Sequence, residues 1–548
     1  MRVFLIVSAI SVLFVPLSAE ACGCFTPPDP TVPIIQAGER ILFSVKDGEV
    51  TSHVQIQYSG DAKDFGWLLP LPSVPKLELG TDELFTQLYA TTQPQYKMTV
   101  QYDQNCVVNN YPGGTGGGSG TGGSGGFSGV DAGSAGTPLV VQDSIGPYDY
   151  AVLKADSKDA MLGWLSDNRY FVPAGTTDSV TPYIHPGAFF LALKLKSGNS
   201  TGDLQPIVLK YTSDVGMIPI TLTSTGATEN MGVQVWMLGN GRAIPRNYHH
   251  TVINDQAIDW VRSGSNYNAV IIRAVGEAPE KHTFVTEYAG SSTVMRGKLA
   301  PVGRFGLQTE LAAQPTALDF VRYLYAHGFA LPPTMGFFGA QVLPGQLKAI
   351  LAKYLPPPSG VTADQFYSNF QYWQSHAVLD YQPILIASEI WSRVVEPTQA
   401  ASALFDALPT LTRLYTTISP ADMNKDPAFS FNPGLPNVAN VHLATMQVSC
   451  DSSHYGVESS AELTTEQGSH LRFPHGRSGA PEYDINAVPA SLRIEVLREE
   501  GPPIVMLDNS QKKSVPMNPP STHGCSTAAG AAMLLGLIPG LRRLRRRR

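Results

Sequence analysis

The chain is bracketed by two apolar segments that stand outside any globular fold it can make. At one end Arg2 supplies a positive charge, Val3 to Leu17 an apolar run, and Ala19-Glu20-Ala21 a small-residue cleavage pattern, the three parts of a secretory signal. A run of about fifteen residues is shorter than the roughly 20 that a spanning helix needs. Removal after Ala21, which leaves Cys22 first, is therefore a stronger reading than a permanent anchor. A lipoprotein acylated on Cys22 is the alternative, opposed by the charged Glu20 where small residues are preferred. At the other end Gly524-Cys525-Ser526 precedes an apolar run from Thr527 to Leu541, and then come Arg542, Arg543, Arg545, Arg546, Arg547 and Arg548. Arginines stay on the cytoplasmic side, so the body between the two ends is expected outside the cell.

That compartment is oxidising, which changes how the cysteines are read. Setting Cys525 aside leaves Cys22, Cys24, Cys106 and Cys450, an even number that predicts two disulfides. A Cys22–Cys24 bond closes too tight a ring, so the expected connectivities join the Cys22/Cys24 start to Cys106 and to Cys450. Metal binding by the Cys-x-Cys pair is the rival reading, but the spacing is not Cys-x2-Cys and no nearby histidine completes a set. No metal and no cofactor are expected. Removing the leader and tail charges leaves 31 basic and 44 acidic residues, a body near -13. Such a surface offers no basic face to nucleic acid.

Hydrophobic patterning divides what remains. From Tyr111 to Gly136 the chain is almost entirely Gly, Ser and Thr, too poor in apolar groups to order itself, and it is expected as a loop inside one domain. Around it the pattern is mostly β. Val54, Ile56 and Tyr58 alternate with polar residues, Tyr96 to Tyr102 and Tyr148 to Lys154 are strand-like, and Val233, Val235 and Met237 alternate before an Asn240-Gly241 turn, which predicts antiparallel sheet. Strands are also predicted at Ile218 to Thr223, Ala269 to Val275 and Thr283 to Tyr288. Two helices interrupt them: Asp82 to Ala90 after a Thr81 cap, and Lys158 to Leu165 after a Ser157 cap. Helical spacing takes over at Ala317 to His327, Gln346 to Tyr354, Ala363 to Trp373, Ile384 to Val395 and Ala400 to Leu408. Strands reappear at Val441 to Val448 and Leu492 to Val496. The expected fold class is α+β: an antiparallel β-rich N-terminal region, a helix-rich middle, and a short β return near the C-terminus. The expected division is 1–21 signal, 22–290 β-rich domain, 291–430 helix-rich region, 431–522 β-containing region and 523–548 anchor tail.

Two resemblances extend this reading. The tail, with a cysteine before a short apolar helix and an arginine cluster, resembles the myxobacterial-type C-terminal sorting signal. That likeness implies a sorting protease acting near Cys525 and a membrane lipid holding the product at the cell surface. An uncut tail anchor is the alternative. In the body, Cys22-Gly23-Cys24-Phe25, Gln36-Ala37-Gly38-Glu39-Arg40-Ile41-Leu42-Phe43, Val54-Gln55-Ile56-Gln57-Tyr58-Ser59-Gly60 and Asp64-Phe65-Gly66-Trp67-Leu68-Leu69-Pro70-Leu71-Pro72 resemble the opening of the family known as domain of unknown function 2330. Gly146-Pro147-Tyr148, Trp164-Leu165, Gln205-Pro206-Ile207 and Leu411-Thr412-Arg413-Leu414-Tyr415-Thr416 carry the likeness further. It implies an exported bacterial protein and transfers no catalytic residue.

Motifs for chemistry mostly fail. Gly122-Gly123-Ser124-Gly125-Gly126 imitates a nucleophile elbow, and Gly118, Gly120 and Gly123 a dinucleotide fingerprint, but both lie in the Gly-rich tract with no strand before or helix after. Asp422, Asn424 and Asp426 take alternate positions of a calcium loop, yet Pro427 and Pro433 occupy its glycine and glutamate places, so a turn is expected. Adjacent His249 and His250 face opposite ways in extended chain and read as a surface turn. His442, His454, His470 and His475 cluster around Cys450 without paired ligand spacing. Phe65 and Trp67 offer a sugar-stacking platform, set against ordinary core packing of alternate large residues. The expectation is a non-catalytic structural, adhesive or partner-binding surface protein, with an envelope protein or polysaccharide as partner. An envelope hydrolase acting on polysaccharide, peptidoglycan or peptide, and a sugar or small-ligand binding module, are the alternatives.

Overall fold

The structure is a computed structural model that describes residues 24–25, 36–55, 66–104, 106, 138–168, 176–196, 204–330, 341–451 and 457–511. The signal with Ala21, Cys22, Tyr58, Phe65, the 111–136 tract, His454 and the tail with Cys525 lie outside the described residues.

One strand decides the layering. In Ala227–Gly239 every residue from Val233 onward is buried. Strand geometry sends Val233, Val235 and Met237 to one face, and Trp236 and Leu238 to the other. A sheet with such a strand at its centre has to be covered on both sides. The strand lies within a ten-stranded mixed sheet, parallel to Gln36–Lys46 and antiparallel to Thr410–Ile418. Beyond Gln36–Lys46 come Glu49–Gln55, Ile207–Thr212 and Lys76–Leu79; beyond Thr410–Ile418 come Thr283–Ser291, His249–Ile253, Ser491–Val496 and Ile504–Asp508.

One face packs on a five-stranded sheet that includes Gly66–Leu71, Phe189–Leu195 and Tyr148–Lys154, and Phe43, Val233 and Val235 share a core with Trp67, Leu193 and Tyr148. On the opposite face the helices Asp82–Thr92 and Glu396–Ala407 press Leu84, Phe85, Leu88 and Phe405 against Leu42, Trp236 and Leu238. The caps work as their positions dictate: Thr81 accepts from the Glu83 amide and Ser157 from the Ala160 amide. The helices Ala317–Ala326, Gly345–Ala352, Ala363–Ser368 and Pro383–Ile390 build a separate core around Phe320, Leu347, Phe366 and Ile390. The architecture is α+β, with strands returning late in the chain to the sheets begun early.

Three local expectations are corrected. Ala269 to Val275 is not a strand but the middle of helix Tyr267–Glu277, which buries Val270, Ile271, Ala274 and Val275; a short apolar run satisfies either period, and packing chose the helical one. Ile218 to Thr223 contains a single helical turn, Ile220–Thr223, after Pro219. Asn240-Gly241 does not join two paired strands. Ala227–Gly239 pairs with its two sheet neighbours, whereas Arg242–Pro245 pairs with Ala428–Asn432 in a three-stranded sheet. The turn thus carries the chain between sheets, and a Cβ on Gly239 would run into the Phe431 ring.

The disulfide expectation is corrected as well. Cys106 bonds Cys450, not the Cys22/Cys24 start, across a sequence separation of 344 residues with the Cα atoms 5.2 Å apart. The cause is a parallel strand pair. Gln95–Tyr102 runs alongside Val441–Cys450 with Tyr102 opposite Val448, so both chains leave the sheet at the same end and their next cysteines meet. With Cys106 and Cys450 used on each other, neither is left for Cys24. Replacing both cysteines by alanine is expected to cost about 2–4 kcal/mol, read as a lower unfolding midpoint in denaturant. Non-reducing peptide mapping should recover the 106–450 cross-link.

Candidate functional site

The large sheet comes apart along one seam. His249–Ile253 pairs in parallel with Thr283–Ser291 at only two positions, His249 with Thr283 and His250 with Phe284. His249–Ile253 also runs antiparallel to Ser491–Val496 on its other side, while Thr283–Ser291 stays with Thr410–Ile418. Past the short parallel pairing is a cleft of about 470 Å³, lined from the two strands by Val252, Ile253, Val285, Thr286 and Glu287 and from the 435–438 loop by Pro436 and Val438.

Four buried polar side chains meet in it. His250 Nε2 is 3.0 Å from Thr286 Oγ1, and its Nδ1 is 3.4 Å from Glu495 Oε2. Arg242 Nη2 donates to Thr286 Oγ1 at 3.1 Å and lies 3.3 Å from His250 Nε2. The protons have one consistent assignment: Arg242 donates to Thr286, Thr286 O–H to His250 Nε2, and His250 Nδ1–H to Glu495. Burial holds the His250 pKa below the ordinary histidine value even though Glu495 favours the charged ring, which favours the neutral imidazole. Burial pushes the Glu495 carboxyl up, but His250 and Arg493 outweigh it and hold it below the usual range.

Charge is not evenly matched here. Glu495 accepts from Arg493 Nε at 2.8 Å, and Glu287 from Arg413 Nε at 2.5 Å. Arg242 has no such partner: among the described residues no carboxylate lies within ion-pair distance, its Nη1 reaches only the Pro436 carbonyl at 3.3 Å, and its buried Nε has no hydrogen-bond partner. Burial lowers its pKa to about 10, with Glu495 acting in the other direction. At the far side of the cleft Tyr96 stacks on His442 with centroids 4.7 Å apart, and the Tyr267 hydroxyl donates to Glu287. Burial raises Asp255 to about 6.

The residues singled out in the sequence fall elsewhere, with the exceptions of His250 and His442. His250 is no surface turn: it sits 4 % exposed in the middle of the sheet, because the strand that carries it is covered by Ser491–Val496 on one side. The calcium-like residues do not converge. Asp422 pairs with Lys281, whereas both oxygens of Asp426 are taken by the Thr221 amide and the Tyr183 hydroxyl. His470 is exposed beside Glu462, and His442 belongs to the cleft wall, so these two histidines do not gather around Cys450. Asp103 lies with Cys106 and Cys450 within ligand reach of one another, but the two sulfurs are bonded together and present no thiolate. Trp67 is 3 % exposed in the core between two sheets, where it lines an apolar cavity and no exposed platform. Arg242, Thr286 and Glu495 escaped sequence reading because they come from three distant segments. The one local signal is that each is a polar residue at an inward position of an apolar strand.

These features define a mixed-sheet α+β protein with a cleft of about 470 Å³ at a sheet seam, lined in part by four buried polar side chains. The sequence profile of a family described as an uncharacterized protein conserved in bacteria (DUF2330) matches residues 16–334, more than half of the chain, and the chain belongs to that family. No curated protein and no solved structure matches it. The matched stretch includes Arg242, His250 and Thr286, whereas Glu495, Arg493 and His442 lie beyond it. Ring-nitrogen NMR shifts followed through a pH titration should place the His250 midpoint below that of an ordinary histidine. Thr286→Val keeps the shape but removes the hydroxyl between Arg242 and His250, at an expected cost of about 1–3 kcal/mol in unfolding free energy.

Proposed function

We propose that this is an exported, surface-held binding protein without catalytic activity, whose cleft takes a small organic anion on Arg242. The observation that carries this reading is the guanidinium itself: buried, held by a carbonyl and a hydroxyl, with no carboxylate within ion-pair distance among the described residues and an Nε without a hydrogen-bond partner, on a residue that lines a cleft of about 470 Å³. A buried cation without a counter-charge is unfavourable. A carboxylate or phosphate oxygen supplies both the charge and the missing acceptor. The rings of Tyr96, Tyr267 and His442 provide a wall for the body of such a ligand. The signal and the arginine-ended tail support export and retention by a sorting protease and a lipid at Cys525. Among the described residues no helix is long and apolar enough to cross a membrane, and the tail lies outside them. On a cell surface the anion would be displayed by an acidic envelope polysaccharide or by an acidic group of an envelope protein.

Calorimetric titration with glucuronate, glycerol 2-phosphate and glucose tests the ligand class. Saturation by one of the two anions but not by glucose is expected, and Arg242→Gln should weaken it at least about tenfold, roughly 1.4 kcal/mol. Equal binding of glucose, or no change in the variant, would reject the assignment. Intact mass of the protein from cells should begin at Cys22 and end near Cys525 with an added lipid; an uncut tail would reject the sorting step.

One observation favours a second reading, hydrolysis with Thr286 as nucleophile. Thr286, His250 and Glu495 stand in the order nucleophile, base and orienting carboxylate, an arrangement recognised by geometry and not by sequence position. Against it, Thr286 is locked in a sheet ladder opposite Leu414 and its hydroxyl already carries the Arg242 contact. Turnover of p-nitrophenyl acetate that disappears in both Thr286→Val and His250→Gln would favour the hydrolase; turnover no faster than buffer would leave the binding reading in place.

A further inference from the structure

Between the large sheet and the five-stranded sheet lies a second cavity, of about 280 Å³, and it contains one carboxyl group. Its walls are apolar and aromatic, with Phe43, Trp67, Tyr183, Tyr211 and Leu209 among them, and no lysine or arginine is among the described residues that line it. Glu39 enters it because strand alternation puts residues 39, 41 and 43 on one face, and Ile41 and Phe43 belong to the core between the sheets. Glu39 is 5 % exposed and its buried Oε2 has no hydrogen-bond partner. Burial, and after it the Asp426 carboxylate, raise its pKa to about 8. Asp426 is itself satisfied by Tyr183 and Thr221 and adds negative potential without offering Glu39 a proton. The remaining titratable groups facing the cavity are Tyr183, Tyr211 and the exposed His185.

An acidic residue in an apolar cavity is an unfavourable choice for packing alone, since an alkyl chain fills the same volume without desolvating a carboxyl. We propose that this cavity is a binding site for a small apolar amine, whose ammonium group pairs with Glu39 and whose body packs among the aromatic rings. Aromatic faces attract a cation, and among the described residues no lysine or arginine in the wall competes for the carboxyl. Volume sets the size. A cavity of roughly 150 Å³ holds benzene, so one of about 280 Å³ takes a ring with a short aminoalkyl arm. The site is separate from the Arg242 cleft in position and opposite to it in charge preference, so neither reading depends on the other.

The test is a titration of the full mature chain at pH 7.5 with 2-phenylethylamine and, in parallel, with 3-phenylpropionate, which keeps the ring and reverses the charge. The amine is expected to saturate and the acid not to bind at this site. Glu39→Gln should weaken the amine at least about tenfold, whereas Arg242→Gln should leave it unchanged. The melting temperature shows that the Glu39→Gln variant is folded, and it carries a second readout with a definite sign. A carboxyl whose folded pKa is raised takes stability away as pH climbs from about 4.5 to about 8, and takes none below. Glu39→Gln should therefore match the wild type near pH 4 and melt higher than it at pH 8. Binding of the acid as tightly as the amine, undiminished amine binding by a folded Glu39→Gln variant, or no amine saturation would each overturn the proposal.

Discussion

The centre of the ten-stranded sheet is buried on both faces, and the rest of the molecule is arranged around that constraint. Inside it no charge can be left to water, so Arg413, 3 % exposed on a central strand, is held from several sides. Its Nε reaches Glu287 on the neighbouring strand, its guanidinium lies over the rings of Tyr89 and Trp236, and Nη1 lies 3.4 Å from Thr92 Oγ1. Trp236 Nε1 donates to the same Thr92 hydroxyl. Arg413 therefore links two strands through its ion pair with Glu287 and ties the helix Asp82–Thr92 to the sheet through Tyr89 and Thr92. A buried pair of this kind adds little net stability, but breaking it strands a charge, which makes this arrangement far better than its neighbours in register.

The same constraint explains why function concentrates where it does. Two-sided burial leaves few places for polar groups, and the two cavities lie at its weak points. One is the seam where a parallel pairing stops after two positions; the other is the gap between two stacked sheets that twist independently. Each contains an ionisable group with a buried polar atom that has no hydrogen-bond partner, a guanidinium in the first and a carboxyl in the second. Elsewhere in the described core, charges such as Arg393 with Glu389 and Arg304 near Glu83 are matched. Departures from that habit are where sequence-level consistency is expected to break for the sake of binding.

Much of the architecture could be read directly. Thr81 and Ser157 announced helix starts through a hydroxyl placed to accept an early amide. The apolar spacing from Ala317 onward announced the helical region, and the late strand at Val441 was visible as an alternating run. What failed did so for identifiable reasons. Ala269 to Val275 is apolar on too many sides for its period to discriminate, and only the core beneath it chose the helix. Asn240-Gly241 marks a turn without saying whether the strands on either side pair with each other. Cys106 found Cys450 through a parallel pairing that no local pattern encodes.

The sites were legible only in fragments. His250 was visible as half of a His-His pair, but it read as a surface turn and its partners could not be named, and no local pattern singled out Glu39, which Gly38 and Arg40 flank. By itself the sequence determined the α+β class and the helix caps, because propensity, capping and hydrophobic period act over a few residues at a time. Only the tertiary structure decided which strands neighbour one another, hence which cysteines bond and that Arg242, His250, Thr286 and Glu495 share a cleft. Those contacts join residues up to 344 positions apart, and no short-range force carries information over that distance.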